Sequence, residues 1–544
     1  MIENKGKINL KIVNWLKFIL PVFAVSVASA ASVDGQWAAK TEGGVSGVVL
    51  ELKSEGGRLT GALVQPTGRL EIRNGTVEGD RVTFEMSLSM RGQALRLLYS
   101  GVLDGDELRI TLRAQGREGE ETTVFRRVNP KDPLERFSES PAPEEVVAWL
   151  KANAIRLSSL QLDTAQTDLM PLVQRLKDAR IVAMGEATHG TREFQQIKLR
   201  MFRFLVEKLG FTVFGIEANW PESLTVNAYV NGEDVDPVPG LGFTWWKTGE
   251  GVALLRWMRE YNGDPAHTRK LKFYGFDMQS PGLAEENVGA YLRRVAPGLV
   301  KEASEVFAIL GTWGENKEYE DSPAQEVKRP TAVRLEGLLR RFDEREQEWV
   351  RMTSREEWTM ARQNMVIVKQ AEVKLGDQGV EGKAYRDRAM AENVKWILDQ
   401  EPAGTKVMLW AHNGHVAAAA APGEEDHLPM GAHLREMFGA GLVSCGFVFG
   451  EGSFRAVDMG TNQTSTFTVG RPPKGSVDAT LGAVGIPLFA VDVRQAPGWL
   501  AGVHYSRQIG GGYSEATPGV WMHRVRAARE WDVLFYVDQT TGSR

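Results

Sequence analysis

Ile181-Val182-Ala183-Met184-Gly185-Glu186-Ala187-Thr188-His189-Gly190 decides the fold. Four apolar residues in a row read as a short buried strand, and the polar run after them as the loop leaving its carboxyl end. A helical pattern then covers about 191–209 and stops at Gly210, and 211–217 returns as a strand. Strand, helix and strand make a βαβ unit. The alternation goes on through apolar runs at 271–276, 407–410, 447–449, 488–491 and 533–537. Residues 146–544 therefore predict an α/β domain, a largely parallel sheet flanked by helices. Within it, about 297–400 is charge-rich and helical, with Leu335, Leu338, Leu339 and Phe342 at helical spacing, and reads as a helical insertion.

Upstream the rhythm is different. Residues 32–128 alternate with period two, as in Arg81-Val82-Thr83-Phe84-Glu85-Met86, with tight turns at Glu55-Gly56-Gly57, Glu78-Gly79-Asp80 and Asp104-Gly105-Asp106. Evenly spaced short strands predict a small antiparallel β-domain, a barrel or sandwich, with an accessory role. Pro130, Pro133, Pro141 and Pro143 mark 129–145 as a linker. Residues 1–31 have the layout of a signal peptide: Lys5, Lys7, Lys11 and Lys17, an apolar stretch from Phe18 to Ala28, then Ala28-Ser29-Ala30. The chain is thus expected to be exported, periplasmic or extracellular, with no membrane association once that segment is cleaved.

The 544 residues carry a net charge of −5, and 42% are hydrophobic. Residues 1–30 hold +3, so the mature chain would carry −8. No global basic excess exists to attract nucleic acid or anionic lipid. The single cysteine, Cys445, permits neither an intramolecular disulfide nor a Cys-based zinc site, and in Ser444-Cys445-Gly446-Phe447-Val448-Phe449 it reads as a buried strand residue.

The chemistry gathers where apolar runs end. Glu186 and His189 follow the first strand, Glu217 and Asn219 the second, Asp277 the third, and His412 and His415 the run at 406–410. In open α/β sheets, ligands bind outside the carboxyl ends of the strands, and parallel strands put those ends on one edge. A neutral imidazole can accept a proton from water, and a carboxylate beside it fixes the tautomer and balances the imidazolium. His189 is the expected base, with Glu186 or Glu217 as its carboxylate. His412 and His415 would bind substrate or stabilise the oxyanion. The other histidines, His267, His427, His433, His504 and His523, lie in loops or helices and read as background. There is no Gly-x-Ser-x-Gly elbow, no His-Glu-x-x-His and no phosphate loop. Two further readings stay open: a metal-dependent hydrolase using the same His/Glu cluster, since His412, His415 and His189 with a Glu would satisfy zinc, and a non-enzymatic envelope ligand-binding protein.

Read in order, Gly185-Glu186-Ala187-Thr188-His189-Gly190-Thr191-Arg192-Glu193-Phe194, Ile216-Glu217-Ala218-Asn219, Tyr274-Gly275-Phe276-Asp277 and Trp410-Ala411-His412-Asn413-Gly414-His415 resemble the erythromycin esterase family. So do Met430-Gly431-Ala432-His433-Leu434 and Gly446-Phe447-Val448-Phe449-Gly450-Glu451-Gly452-Ser453-Phe454. The resemblance implies hydrolysis of a carboxylic ester or macrolactone by histidine-activated water, without a cofactor, and with macrolide inactivation as a possible task. It implies His189 as base, Glu186 and Glu217 as its carboxylates, and His412 and His415 in the site. It adds a basic residue nine positions after the base, here Lys198 where some members carry Arg. Lys198, Asn219, Asp277 and Arg388 are the expected substrate contacts. The partner implied is a small-molecule ester or lactone. The β-module at 33–128 lies outside the resemblance, and its likeness to lipocalin-like modules rests on pattern alone.

Overall fold

The computed structural model describes residues 32–544, apart from 42–43, 66–67, 91–92, 116–118, 312–318, 320–321, 323 and 378. The expected signal peptide lies outside the described residues.

The period-two region folds into nine strands: β1 (Gly35–Thr41), β2 (Gly44–Glu55), β3 (Arg58–Gln65), β4 (Gly68–Glu71), β5 (Arg73–Glu78), β6 (Arg81–Met90), β7 (Gln93–Asp104), β8 (Glu107–Ala114) and β9 (Glu121–Arg127). They pair antiparallel in the order β2-β1-β9-β8-β7-β6-β5-β3-β4, and β2 also pairs β3. Eight strands therefore close into a barrel, with short β4 beside β3. Alternation sends Trp37, Leu50, Leu52, Leu59, Val82, Phe84, Met86, Leu108 and Ile110 inward, where they fill the barrel as one apolar cluster.

The α/β domain has a second sheet. Its path is β10 (Ile155–Arg156), β17 (Leu488–Asp492), β21 (Val533–Thr540), β15 (Leu442–Asp458), β11 (Ile181–Met184), β14 (Val407–Trp410), β12 (Val213–Asn219) and β13 (Lys272–Asp277); β16 (Thr464–Val469) and β19 (Gly512–Tyr513) pair β15 off this path, and β18 (His504–Arg507) pairs β20 (Met522–Val525) separately. The six strands from β21 to β13 run parallel, while β17 pairs antiparallel at the edge. Apolar residues cover both faces, as a sheet sandwiched between helices requires. Helix Arg192–Leu209 follows β11 and ends at Gly210, whose φ of +71° is the left-handed stop read from the sequence. The expected insertion is a helical layer: Val300–Leu310, Arg329–Glu344, Glu346–Met352, Arg355–Gly376 and Val380–Gln400. Cys445 is buried in β15, and burial pushes its thiol well above the ordinary range.

β11 and β12 are consecutive in sequence but not neighbours in the sheet, because β14 lies between them and pairs with both. Val407-Met408-Leu409-Trp410 is buried at every position, so neither of its faces could sit at an edge. Its return from the helical insertion into the middle of the sheet positions the site. Met184 and Ile216 both lie level with Trp410. The loop after β14 therefore emerges between His189 and Glu217. β11 is also where the order reverses, with β14 on one side and β15 on the other, and such a switch point is where α/β sheets bind ligands.

Candidate active site

At the end of β11, His189 Nδ1 lies 2.6 Å from Glu186 Oε1. Glu186 is fully buried. Its second oxygen accepts from Lys198 Nζ and, at 2.8 Å, from Trp410 Nε1. A carboxylate so anchored accepts from Nδ1–H, leaving the lone pair of His189 on Nε2. The ring is fixed by Trp245, stacked parallel to it at 5.1 Å, and by Trp246 edge-on at 5.3 Å. Gln195 ties the supporting backbone together by donating to the carbonyls of His189 and Trp245.

Burial pushes the Lys198 amine down to about 8, against the opposing pull of Glu186. Lys198 lies beneath Glu186 over the Trp410 and Phe447 rings, with no exposed surface. The expected substrate contact is therefore corrected: Lys198 holds the carboxylate that holds the base.

His412 begins the turn after β14. Its backbone N–H donates to Glu217 Oε2 at 3.0 Å, and its Nδ1 accepts from the Gly414 N–H at 3.2 Å. That bond puts the ring proton on Nε2. Burial, with His189 and His415 nearby, keeps His412 well below the ordinary histidine value, so it is neutral. Its Nε2 is buried without a partner. The His189 and His412 rings are 5.5 Å apart. A Cβ built on Gly510 would lie 3.7 Å from His412 Nε2 and 4.0 Å from His189 Nε2, so a base lone pair and a donor N–H border one small space. Gly511 beside it lies so close that its Cβ would come within 3.2 Å of His189 Cδ2 and 3.0 Å of Trp245.

A second network adjoins this pair. Arg386 donates to Glu217 at 2.7 Å and to both oxygens of Asp277 at 3.1 and 2.6 Å, and its Nη1 meets His415 Nε2 at 3.0 Å. Asp387 accepts from His415 Nδ1 at 2.7 Å, His427 Nε2 at 3.0 Å and the Met430 N–H at 2.9 Å. Burial would raise Glu217 and Asp387, but the histidine and arginine partners hold both far below the usual carboxylate range. For His415, burial is outweighed by Asp387 and Glu217, which raise it above its ordinary value. Arg386 can only donate, however, so in this arrangement His415 Nε2 accepts, and a second proton enters only if Arg386 moves off.

The structure thus brings Glu186, His189, Glu217, Asp277, His412 and His415 together. Glu186, not Glu217, is the carboxylate on His189. Asp277 is fully buried against Arg386 and Gln279, a counter-ion and not a substrate contact. Asn219 stands at the N-cap position of helix Trp220–Val230 without a side-chain capping bond, and its Oδ1 accepts instead from the Ser280 N–H at 3.3 Å. Arg388 is a correction: it is exposed and paired with Glu392, whereas Arg386, two residues earlier and on the opposite helical face, enters the site. The sequence reading also missed Asp387, Trp245, Gly510 and His427, the last set aside because it lies in a loop. His415 has both ring nitrogens engaged, and among the described residues no three His, Cys, Asp or Glu side chains are arranged to hold a metal ion.

The pattern of the family described as erythromycin esterase matches residues 206–540. The chain belongs to the erythromycin esterase family. It is a hydrolase of the esterase type. The family match begins after Glu186, His189 and Lys198, and it leaves out the barrel. Among relatives, erythromycin esterase type II of Escherichia coli is 25% identical over 64% of this chain and 89% of its own length. The Bacillus subtilis (strain 168) protein YbfO is 26% identical over 63% of this chain and 80% of its own. A Bacillus cereus protein of solved structure superposes with a TM-score of 0.66 at 26% identity, covering 74% of this chain and 99% of the other. A histidine-to-asparagine mutant of the erythromycin esterase EreC in its open conformation shares the fold, with a TM-score of 0.58 at 16% identity over 71% of this chain and 97% of its own.

Proposed function

We propose that this esterase cleaves a carboxylic ester or lactone with water activated directly by His189. The observation that carries the reading is the paired tautomer assignment: His189 Nε2 bears a lone pair, His412 Nε2 bears a proton, and both face the space beside Gly510. His189 takes a proton from water as the hydroxyl adds to the carbonyl carbon. The carbonyl oxygen, gaining charge, accepts from His412 Nε2–H, a donor already in place and needing no reorganisation. Glu186, anchored by Lys198 and Trp410, balances the imidazolium. The tetrahedral intermediate then collapses, the alkoxide leaves, and His189 returns the proton to it. Acid and alcohol are the products, or one hydroxy acid when the ester closes a ring.

Macrolides are candidate substrates on the strength of the relatives' names. Incubation with erythromycin and with simple esters and lactones, followed by mass spectrometry, should reveal addition of one water to at least one of them. The His189→Ala protein should stay folded and lose this activity, and full turnover in that variant would rule the mechanism out. Turnover should survive a chelator, and chelator-sensitive turnover with stoichiometric zinc would favour the metal-dependent reading instead. We also propose that the chain is exported, a reading supported by the lysines and the apolar stretch of residues 1–31. N-terminal sequencing of protein from a secreting host should begin at Ala31, and a chain retaining Met1 would refute cleavage.

A further inference from the structure

The wall of the reaction space is Gln508–Tyr513, a segment far from His189 in sequence. The Ile509 and Gly510 N–H groups donate to the Ala187 carbonyl at 2.7 and 3.2 Å, and the His189 N–H donates to the Gly510 carbonyl at 3.1 Å. Gln508 links the wall to the turn that carries His412, its Oε1 accepting from Asn413 Nδ2 at 3.0 Å. Its backbone N–H donates to the Trp521 carbonyl at 2.8 Å, so the wall is tied to the short turn Pro518–Trp521.

That turn is gripped by the N-terminal half of the chain. β2 lies against it. Val49 of β2 and Val64 of β3 are cross-strand partners. Both are buried, but not in the barrel, whose interior takes Leu50, Leu52 and Leu59. They belong to the apolar cluster of the α/β domain that contains Val520 and Trp521. Gln36 Nε2 donates to the Ala516 carbonyl at 2.5 Å. From the linker, fully buried Phe137 packs edge-on to Tyr505 at 5.0 Å and joins Met522 in a small cluster. A Cβ on Gly519 would stand 2.6 Å from Phe137 Cε2 and 2.5 Å from Arg136 Nη2, an approach only glycine permits.

We propose that the barrel and the linker form a positioning module, which fixes the Gly510–Gly511 wall against His189 and His412 and so sets the turnover rate. Val49 and Val64 are the positioning residues. They act through Trp521 and Gln508 and touch no substrate. The inference rests on the assignment of His189 and His412 as the reacting pair.

The test is Val49→Asp/Val64→Asp in the full chain. Both positions are on the outer surface of the barrel, so its own core is untouched. Circular dichroism should match wild type. Hydrogen exchange at the Gln508, Ile509 and Gly510 amides should quicken, while exchange at Ile181–Met184 stays slow. The kcat for ester hydrolysis should fall by about tenfold to a hundredfold, the range expected when catalytic groups shift by a fraction of an ångström to an ångström. Val49→Ile/Val64→Ile should keep wild-type rates, and Leu98→Asp, a new charge elsewhere on the barrel, should too. Gln36→Glu, which sets a carboxylate against the Ala516 carbonyl, should give a smaller effect of the same kind and serves if the double variant fails to fold. Wild-type kcat together with wild-type exchange at 508–510 overturns the proposal. If His189→Ala is inactive while the docking variants behave as wild type, only this inference fails. If His189→Ala is fully active, the assignment beneath it fails.

Discussion

His189 and His415 are built alike and placed to opposite effect. Each points Nδ1 at a buried carboxylate, Glu186 at 2.6 Å and Asp387 at 2.7 Å. Each stands after a central parallel strand. The difference is on the far nitrogen. His189 Nε2 faces the space beside Gly510, whereas His415 Nε2 is met by Arg386 at 3.0 Å. A histidine–carboxylate dyad is therefore not in itself a base. It becomes one where the chain leaves the second nitrogen open, and becomes a structural strut where an arginine closes it.

The sharpest way to break that contrast is to remove each histidine. His189→Ala should lower kcat/KM by about 10²–10⁴-fold, the usual worth of a positioned general base, with little change in melting temperature. His415→Ala should cost less turnover and more stability, because Asp387 loses a partner. Equal losses of turnover with equal melting points would abolish the distinction. Arg386→Met attacks the strut itself. Glu217 and Asp277 would be left buried without their cation, and urea unfolding should register a loss of about 3–5 kcal/mol. An unchanged midpoint would mean the network is not the anchor described above.

Gly510→Ala probes the open side. The left-handed φ of +65° makes alanine cost about 1–2 kcal/mol, and the new methyl would stand 3.7 Å from His412 Nε2 and 4.0 Å from His189 Nε2. Activity should therefore fall further than stability, which parallel kinetics and thermal melts would separate. The smallest effect is in pH dependence. With its amine pushed down to about 8, Lys198 gives up its proton as pH passes that value, and Glu186 loses its cation. The kcat/KM profile should decline through about pH 8, and Lys198→Arg, which cannot titrate there, should move the decline upward. Stability runs the other way. The unfolded chain holds this proton up to about 10.4, so between about 8 and 10.4 the unfolded state binds more protons and the Lys198 contribution favours the fold increasingly as pH rises.

Much of the site was legible because strand ends announce themselves. An apolar run followed by Glu186 and His189, or by His412 and His415, needs no neighbours to be noticed. The order of the sheet was less so, since a parallel crossover can insert a later strand anywhere, and only the apolarity of both faces of β14 hinted at its central place. Arg386 and Asp387 were hidden by context. They lie on a charge-rich helix whose neighbours Arg388 and Glu392 form an ordinary surface pair, and deciding which of two arginines faces inward requires the helix to be docked. Trp245 acts by stacking on His189 and Gly510 by its left-handed backbone, neither of which a spacing rule encodes. The run Gly510-Gly511-Gly512 was the available signal, three residues without side chains where a Cβ at Gly511 would crowd Trp245 and His189.

The central place of β14 has a consequence for how the protein is made. Until Val407–Trp410 arrives, β11 and β12 lack the strand that joins them, and Glu186 lacks its Trp410 donor. More than half of the α/β domain must emerge before the middle of its sheet can close. The barrel, with its local antiparallel hairpins, can be complete long before. Refolding should therefore proceed in two stages, an early barrel and a slower event in which Trp410 is buried and esterase activity appears together with it.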